Sequence, residues 1–273
     1  MAGVDVVFHL AALVSITEDQ SHLLQRVNVD GTRNVIEAAK AMQVKKLIYT
    51  SSIHALTRPP IGVPITEQLA FDPDNPAGPY DRTKAQASLL VQSAARQGLD
   101  ACIICPTGVI GPHDYRRSEM GELILAWMQK RVNVLVKGAF DFVDVRDVAN
   151  GQILARDKGR TGETYILGGE RIELSLLHSL VKKVTGKDTR LITFPLPIAM
   201  ILAPAAELYY RVTKTRPRFT RYSLETVVSN SEISSEKAKK ELGYQPRALV
   251  KSVADTVGWW WENLSHTRRS VRL

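Results

Sequence analysis

Cysteine is scarce in this sequence: Cys102 and Cys105 are the only two among 273 residues, and both sit in an apolar run. Two thiols so placed exclude a disulfide framework and a cysteine-rich metal centre, and they fit a reducing compartment, so a cytoplasmic setting is expected and no metal site is. Long hydrophobic runs are also missing. The most apolar stretch, Leu196 to Leu208, is interrupted by Pro197 and Pro204 and is too short to span a bilayer. No basic segment followed by an apolar core and a cleavage site opens the sequence, so no secretory leader is expected. Low-complexity tracts and internal repeats are absent as well, and 44% hydrophobic against 23% charged residues is the composition of a globular chain.

The formal charge of +8 is unevenly spread. Residues 1–150 carry 15 Lys/Arg against 16 Asp/Glu, whereas residues 151–273 carry 21 against 12. The excess gathers at Arg211, Lys214, Arg216, Arg218 and Arg221 and at the terminal Arg268, Arg269 and Arg272. A solvated surface is the plain reading, with contact to an anionic ligand or an acidic membrane face as the alternative. Nothing has the form of a nucleic-acid module, so no such partner is expected.

Val4 to Ala12 is a short β-branched run without alternation, the pattern of a central parallel strand covered on both faces. Helical spacing from about Glu18 to Met42 follows, then a second buried strand from Val44 to Thr50 that ends in Ser51-Ser52. A proline-rich loop leads to a helix from about Tyr80 to Gln97 and a third strand at Ala101 to Pro106. Strands alternating with crossover helices specify an α/β fold with a doubly wound parallel sheet, in which ligands bind beyond the carboxyl ends of the strands. Further on, the pattern predicts helices near Glu119 to Lys130, from Asp144 or Asp147, and over Ser175 to Thr185 closed by Gly186. It also predicts strands near Val132 to Val136 and at Tyr165 to Gly169, and last helices near Ser234 to Leu242 and Leu249 to Leu264.

Tyr80 and Lys84 lie four positions apart, on one face of their helix. A cation beside a phenol favours the phenolate, so Lys84 is expected to lower the Tyr80 pKa and make it a usable proton donor or acceptor. Ser52, at the tip of the preceding strand, is placed to hydrogen-bond the same developing oxyanion, with Ser51 as the neighbouring candidate. A second Tyr-x-x-x-Lys, Tyr210 and Lys214, has no strand-terminal serine before it and is read as surface or pocket rim. His9 reads as a core histidine; His54 and His113 lie in loops near the expected site without a role assigned to them.

The segments DVVFHLAA (5–12), NVDGTRNVIEAA (28–39), KLIYTSS (46–52), YDRTK (80–84), PTGVIGPHD (106–114), DVRDVANG (144–151), ETYILGGE (163–170) and KAKKELGYQPR (237–247) together resemble the extended short-chain dehydrogenases/reductases. Within them the chain is similar to the branch of dihydroflavonol-4-reductase-like and 3β-hydroxysteroid dehydrogenase-like proteins. The resemblance implies a catalytic set of Ser52, Tyr80 and Lys84 and a cofactor, NAD or NADP, held near Ala11, Ala12, Asn28, Ser51, Lys84, Pro106, Thr107 and Val109. It implies a partial dinucleotide-binding Rossmann domain over residues 1–112. A mainly substrate-binding region would follow over 113–273, with segments near 132–155 returning to the Rossmann core. The Leu196 to Leu208 helix would cover the substrate, with shallow membrane association the lesser alternative; membrane partners are not expected. Helices near 18–42 and 79–97 would pair in a homodimer.

The family's opening strand and Gly-x-x-Gly-x-x-Gly turn, which hold the pyrophosphate on backbone amides and a helix N-terminus, find no match in these 273 residues. About 60 residues of the family pattern are therefore expected to be missing ahead of the first strand. No detectable dehydrogenase activity is expected of these 273 residues alone, and the first strand is expected to become an exposed edge. The leading expectation is an oxidoreductase interconverting a carbonyl and a secondary alcohol on a mostly apolar small molecule. A nucleotide-sugar epimerase or dehydratase and a non-catalytic binding protein are the alternatives.

Overall fold

The computed structural model describes residues 1–15, 20–213 and 220–270. Its chain divides into two compact units, one formed by residues 1–107, 148–168 and 230–245 and the other by 108–147, 169–229 and 246–273. Of the stretch near 132–155 expected to rejoin the first domain, residues 148–155 lie in the first unit and 132–147 in the second.

The first unit is built on four parallel strands in the order β1 (Val6–His9), β2 (Lys46–Thr50), β3 (Ala101–Pro106) and β7 (Thr164–Leu167). The register aligns His9 with Tyr49, Tyr49 with Ile103, and Pro106 with Leu167, so the strand tips fall along one edge. Every residue of β3 and β7 is buried, as uninterrupted apolar runs in a covered parallel sheet require. Among the described residues β1 pairs with β2 alone, and Phe8 is exposed to solvent. The run read as a central strand from Val4 to Ala12 is thus a four-residue edge strand here. At the opposite edge, the Glu67 carboxylate accepts the outward Ile166 N–H at 2.9 Å and blunts a site of stray pairing.

The helix expected from Glu18 to Met42 begins, among the described residues, at α1 (Ser21–Leu24). It widens into a π-helical turn over Gln25–Asp30 and continues as α2 (Gly31–Ala41). α3 (Pro79–Arg96) starts on Pro79, whose missing N–H is no loss in a first turn. α5 (Val145–Lys158) approaches β7 so closely at Gly151 that a Cβ there would stand 2.4 Å from Leu167 Cδ1. The segment read as a helix near Ser234 to Leu242 ends in a π-helical turn, Ala238–Leu242.

In the second unit, β4 (Gly108–Ile110) runs parallel to β6 (Ala139–Asp144), which pairs antiparallel with β8 (Glu170–Glu173). A separate parallel ribbon joins β5 (Val132–Val136) to β9 (Arg190–Phe194). Helices α4 (Glu119–Gln129), α6 (Leu174–Thr185), α7 (Leu196–Thr213), α8 (Arg221–Val228) and α9 (Leu249–Ser270) complete it. α6 closes on left-handed Gly186, as its sequence requires. Arg146 bridges the buried Asp144 carboxylate and Asp255, each at 2.7 Å, and Arg247 grips Asp147 at 2.8 Å. These pairs fasten α9 to the start of α5.

Candidate active site

The tip of β2 and the first turns of α3 supply the site. Ser52 leaves the strand and caps a short 3-10 turn, its hydroxyl accepting the His54 N–H at 3.2 Å. The same hydroxyl lies near enough to the Tyr80 phenol to act on its acidity. Ser51 faces the other way: its hydroxyl meets that of Ser88 at 2.7 Å, and Ser88 in turn donates to the Lys84 carbonyl oxygen. The pairing separates two adjacent serines that sequence alone leaves interchangeable, because successive residues of an extended strand point to opposite faces.

Lys84 is almost fully buried. Its ammonium donates to the Thr50 carbonyl oxygen at 2.5 Å and lies 4.6 Å from the centre of the Tyr49 ring, a cation–π contact. Burial pulls its pKa down to about 8, with Cys105 acting the other way. Tyr80 does not follow the sequence expectation. Burial pushes the phenol up to about 12, the nearby Ser52 hydroxyl opposes that rise, and Asp81 and Cys105 add to it. Desolvation therefore outweighs any lowering by the lysine, and the phenol keeps its proton at neutral pH.

Asn28 is buried in the π-helical turn, with its amide committed to protein. Its Oδ1 accepts the Leu13 N–H at 2.8 Å, and its Nδ2 donates to the Leu13 carbonyl at 3.0 Å and to Thr83 Oγ1 at 3.2 Å. The residue expected beside the dinucleotide thus ties the loop after β1 to the helix that carries Tyr80. Ala11 and Ala12 lie exposed in that loop. Pro106 ends β3, and the Thr107 N–H donates to the Leu167 carbonyl at 3.2 Å. Val109 belongs to the second unit, where it pairs with Val143.

Sequence reasoning did not find Tyr49, the one aromatic ring in β2 and the seat of the lysine contact. Nor did it find the pair beneath Tyr80, where Arg58 reaches the fully buried Asp81 carboxylate at 2.9 Å. His54 is held below its ordinary pKa by burial, and its carbonyl accepts the Asn75 amide. His9 is a core residue, hydrogen-bonded to Thr32 at 3.0 Å and pulled down to about 4 by burial and then by Lys84. Of the second Tyr-x-x-x-Lys, Lys214 lies outside the described residues.

A nicotinamide riboside is the group whose chemistry this donor set suits. The Thr107 hydroxyl at the tip of β3 is buried without a hydrogen-bond partner, and the Lys84 ammonium and Tyr80 phenol are donors close to the neighbouring strand tip. The pyrophosphate is not provided for in the same way, since no Gly-x-x-Gly-x-x-Gly turn occurs in the sequence.

The family model described as the NAD dependent epimerase/dehydratase family matches residues 1–168. Sterol demethylase protein B of Methylococcus capsulatus is 33% identical over 266 residues, which cover 96% of this chain and 80% of that protein. The 4-hydroxy-2-methyl-3-oxo-4-farnesyl-3,4-dihydroquinoline-1-oxide ketoreductase of Stigmatella aurantiaca is 30% identical, covering 94% of this chain and 77% of that one. Among solved structures, that of gox2253 superposes with a TM-score of 0.81 at 33% identity over 96% of this chain and 80% of its own. The chain belongs to the NAD dependent epimerase/dehydratase family, within the extended short-chain dehydrogenase/reductase superfamily.

Proposed function

We propose that the chain is an NAD- or NADP-dependent oxidoreductase that interconverts a carbonyl and a secondary alcohol on a mostly apolar small molecule. The observation that carries this reading is the buried Lys84 ammonium anchored on the Thr50 carbonyl at the tip of β2, one helical turn from a Tyr80 phenol that has Ser52 close by. Tyr80 gives its proton to the carbonyl oxygen and Ser52 stabilises the charge that develops there. Lys84 would hold the ribose hydroxyls, and its charge would stabilise the phenolate left on Tyr80 until a proton from solvent restores the phenol. The nicotinamide, when bound, supplies or accepts the hydride. Ala11, Ala12, Pro106 and Thr107 would line the cofactor, and Asn28 and Ser51 position the elements that do so. An apolar substrate is in keeping with the sterol and farnesyl-quinoline names of the two relatives. The same reading carries a homodimer through helices near 18–42 and 79–97, to be read by sedimentation equilibrium.

These 273 residues contain no Gly-x-x-Gly-x-x-Gly turn, so the deciding experiment supplies one. Fusing the strand, glycine turn and helix of a relative ahead of Met1 is expected to give ketone-dependent oxidation of reduced nicotinamide, which Tyr80→Phe abolishes. A fusion that binds cofactor yet reduces no apolar ketone, or that works equally well with phenylalanine at position 80, contradicts the reading.

A further inference from the structure

α3 opens on Gly78 and Pro79 without a side-chain cap among the described residues, so other contacts fix the place of its first turn. Two of these reach back to the loop that follows Ser52. The Arg82 guanidinium donates to the Asn75 carbonyl oxygen at 3.2 Å, and the fully buried Asn75 amide donates to the His54 carbonyl oxygen at 3.3 Å. More directly, Arg58 donates to the Asp81 carboxylate at 2.9 Å, from a side chain that is 30% exposed to one that is wholly buried. Arg58 is in turn held by its neighbours. The Thr57 N–H and hydroxyl both donate to the Ala70 carbonyl oxygen, at 2.8 and 3.0 Å, and Leu56 bridges Phe71.

Stability alone does not account for a buried ion pair at this point. Desolvating a carboxylate and a cation costs about as much as their attraction returns, and apolar side chains of similar size would hold the turn as well. The carboxylate also stands where it opposes chemistry, since it follows Tyr80 directly and its charge adds to the rise that burial imposes on the phenol. The other groups acting on that phenol are Ser52 at the tip of β2, which opposes the rise, and Cys105 from β3, which adds to it. Tyr49 of β2 faces it as well, and the buried Lys84 stands one helical turn on. His54 lies within reach of both members of the pair: burial lowers its pKa, Asp81 raises it and Arg58 lowers it. Once Tyr80 passes its proton to a carbonyl oxygen, a phenolate is left beside the Asp81 charge, and a cation held on that carboxylate limits the repulsion. We propose that Arg58, acting through Asp81, is a positioning residue for Tyr80: it clamps the first turn of α3 to the loop after Ser52, keeping the two hydroxyls together, and it offsets the carboxylate charge that opposes a phenolate. This rests on the reading of Tyr80 as the proton donor of a reductase. It adds to Lys84 a second cation that governs the phenol.

The phenol itself is the readout. A fluorinated tyrosine, intrinsically more acidic than tyrosine, is placed at position 80 of the 273-residue chain and its ionisation is followed by fluorine NMR. Asp81→Asn, which keeps an oxygen for Arg58 and removes the charge, is expected to raise the ionisation constant about tenfold. Arg58→Met is expected to lower it about tenfold, and Arg58→Lys to stay within about threefold of the parent. The double variant Arg58→Met, Asp81→Asn is expected to return to the parent value or above it. A merely structural role would admit water to the phenol and raise the constant in both single variants, so shifts of opposite sign mark the charge. Hydrogen exchange at the His54 amide, which donates to Ser52, is expected to quicken in Arg58→Met and not in Arg58→Lys. Shifts of one sign in the two single variants, no shift in either, or unchanged exchange in Arg58→Met overturns the proposal. Should Arg58→Met not fold, Asp81→Asn decides alone, and a constant that fails to rise overturns it. These measurements involve no turnover, so failure of the reductase reading shows separately, in the ketone assay of the fusion.

Discussion

The Lys84 ammonium donates to the Thr50 carbonyl oxygen at 2.5 Å from a side chain that is 2% exposed. A cation so enclosed costs folding free energy for as long as it stays charged. Its pKa falls from 10.5 to about 8. Below about pH 8 both folded and unfolded chains hold the proton and the full cost is present. Between about 8 and 10.5 the unfolded chain alone holds it, and stability rises with pH. Lys84→Met is therefore expected to exceed the parent in stability at neutral pH, by up to about 3 kcal/mol, and to lose that margin as pH approaches 10.5. Urea unfolding of both proteins across that range checks it; a constant difference contradicts it.

His9 works in the acid range. Its pKa falls from 6.5 to about 4 on folding, so between these values the unfolded chain binds a proton that the folded chain refuses. Stability from this residue is intact above about 6.5 and is lost as pH falls towards 4. His9→Gln is expected to flatten the acid limb, gaining on the parent by about 2 kcal/mol between pH 7 and pH 4.5. Thermal or urea unfolding at the two pH values measures the change.

The proposed roles of the adjacent serines differ. In a fusion that supplies the glycine turn, Ser52→Ala is expected to lower turnover roughly 100-fold, because a donor to the developing oxyanion is lost. Ser51→Ala is expected to leave turnover within a few-fold and to cost about 1 kcal/mol of stability, the worth of its bond to Ser88. Equal losses of turnover in the two variants would refute the assignment.

Asn28→Ala leaves the Leu13 N–H and carbonyl without their side-chain partner and frees Thr83 on the neighbouring helix. A loss of roughly 2 kcal/mol is expected. Hydrogen exchange at the Leu13 amide is expected to accelerate, whereas amides of β3 change only by the global loss.

Those residues show where sequence reading reaches its limit. The core strands of the first unit were legible because β3 and β7 are unbroken apolar runs, and the 101–106 and 132–136 strands fall at the expected residues. Tyr80 and Lys84 were legible as a face because helical spacing is rigid. What spacing does not contain is orientation and environment. Whether Ser51 or Ser52 turns to the phenol depends on the pleat of β2, and the rise of the Tyr80 pKa depends on atoms brought in from β3 and α3. β6, β8 and β9 were missed because the Phe140-Asp141-Phe142 alternation breaks at Val143 and Arg190 to Phe194 has neither a clean alternation nor a continuous apolar run.

The central claim is that Lys84 and Tyr80 form a nicotinamide riboside site at the tip of β2. Calorimetric titration of the 273-residue chain with nicotinamide mononucleotide tests it without relying on a pyrophosphate turn. The account predicts binding in the range of about a millimolar dissociation constant. Lys84→Met is expected to lose that binding, Tyr80→Phe to weaken it, and Ser51→Ala to keep it. No heat of binding with the parent chain, or the same affinity in all four proteins, would contradict the account.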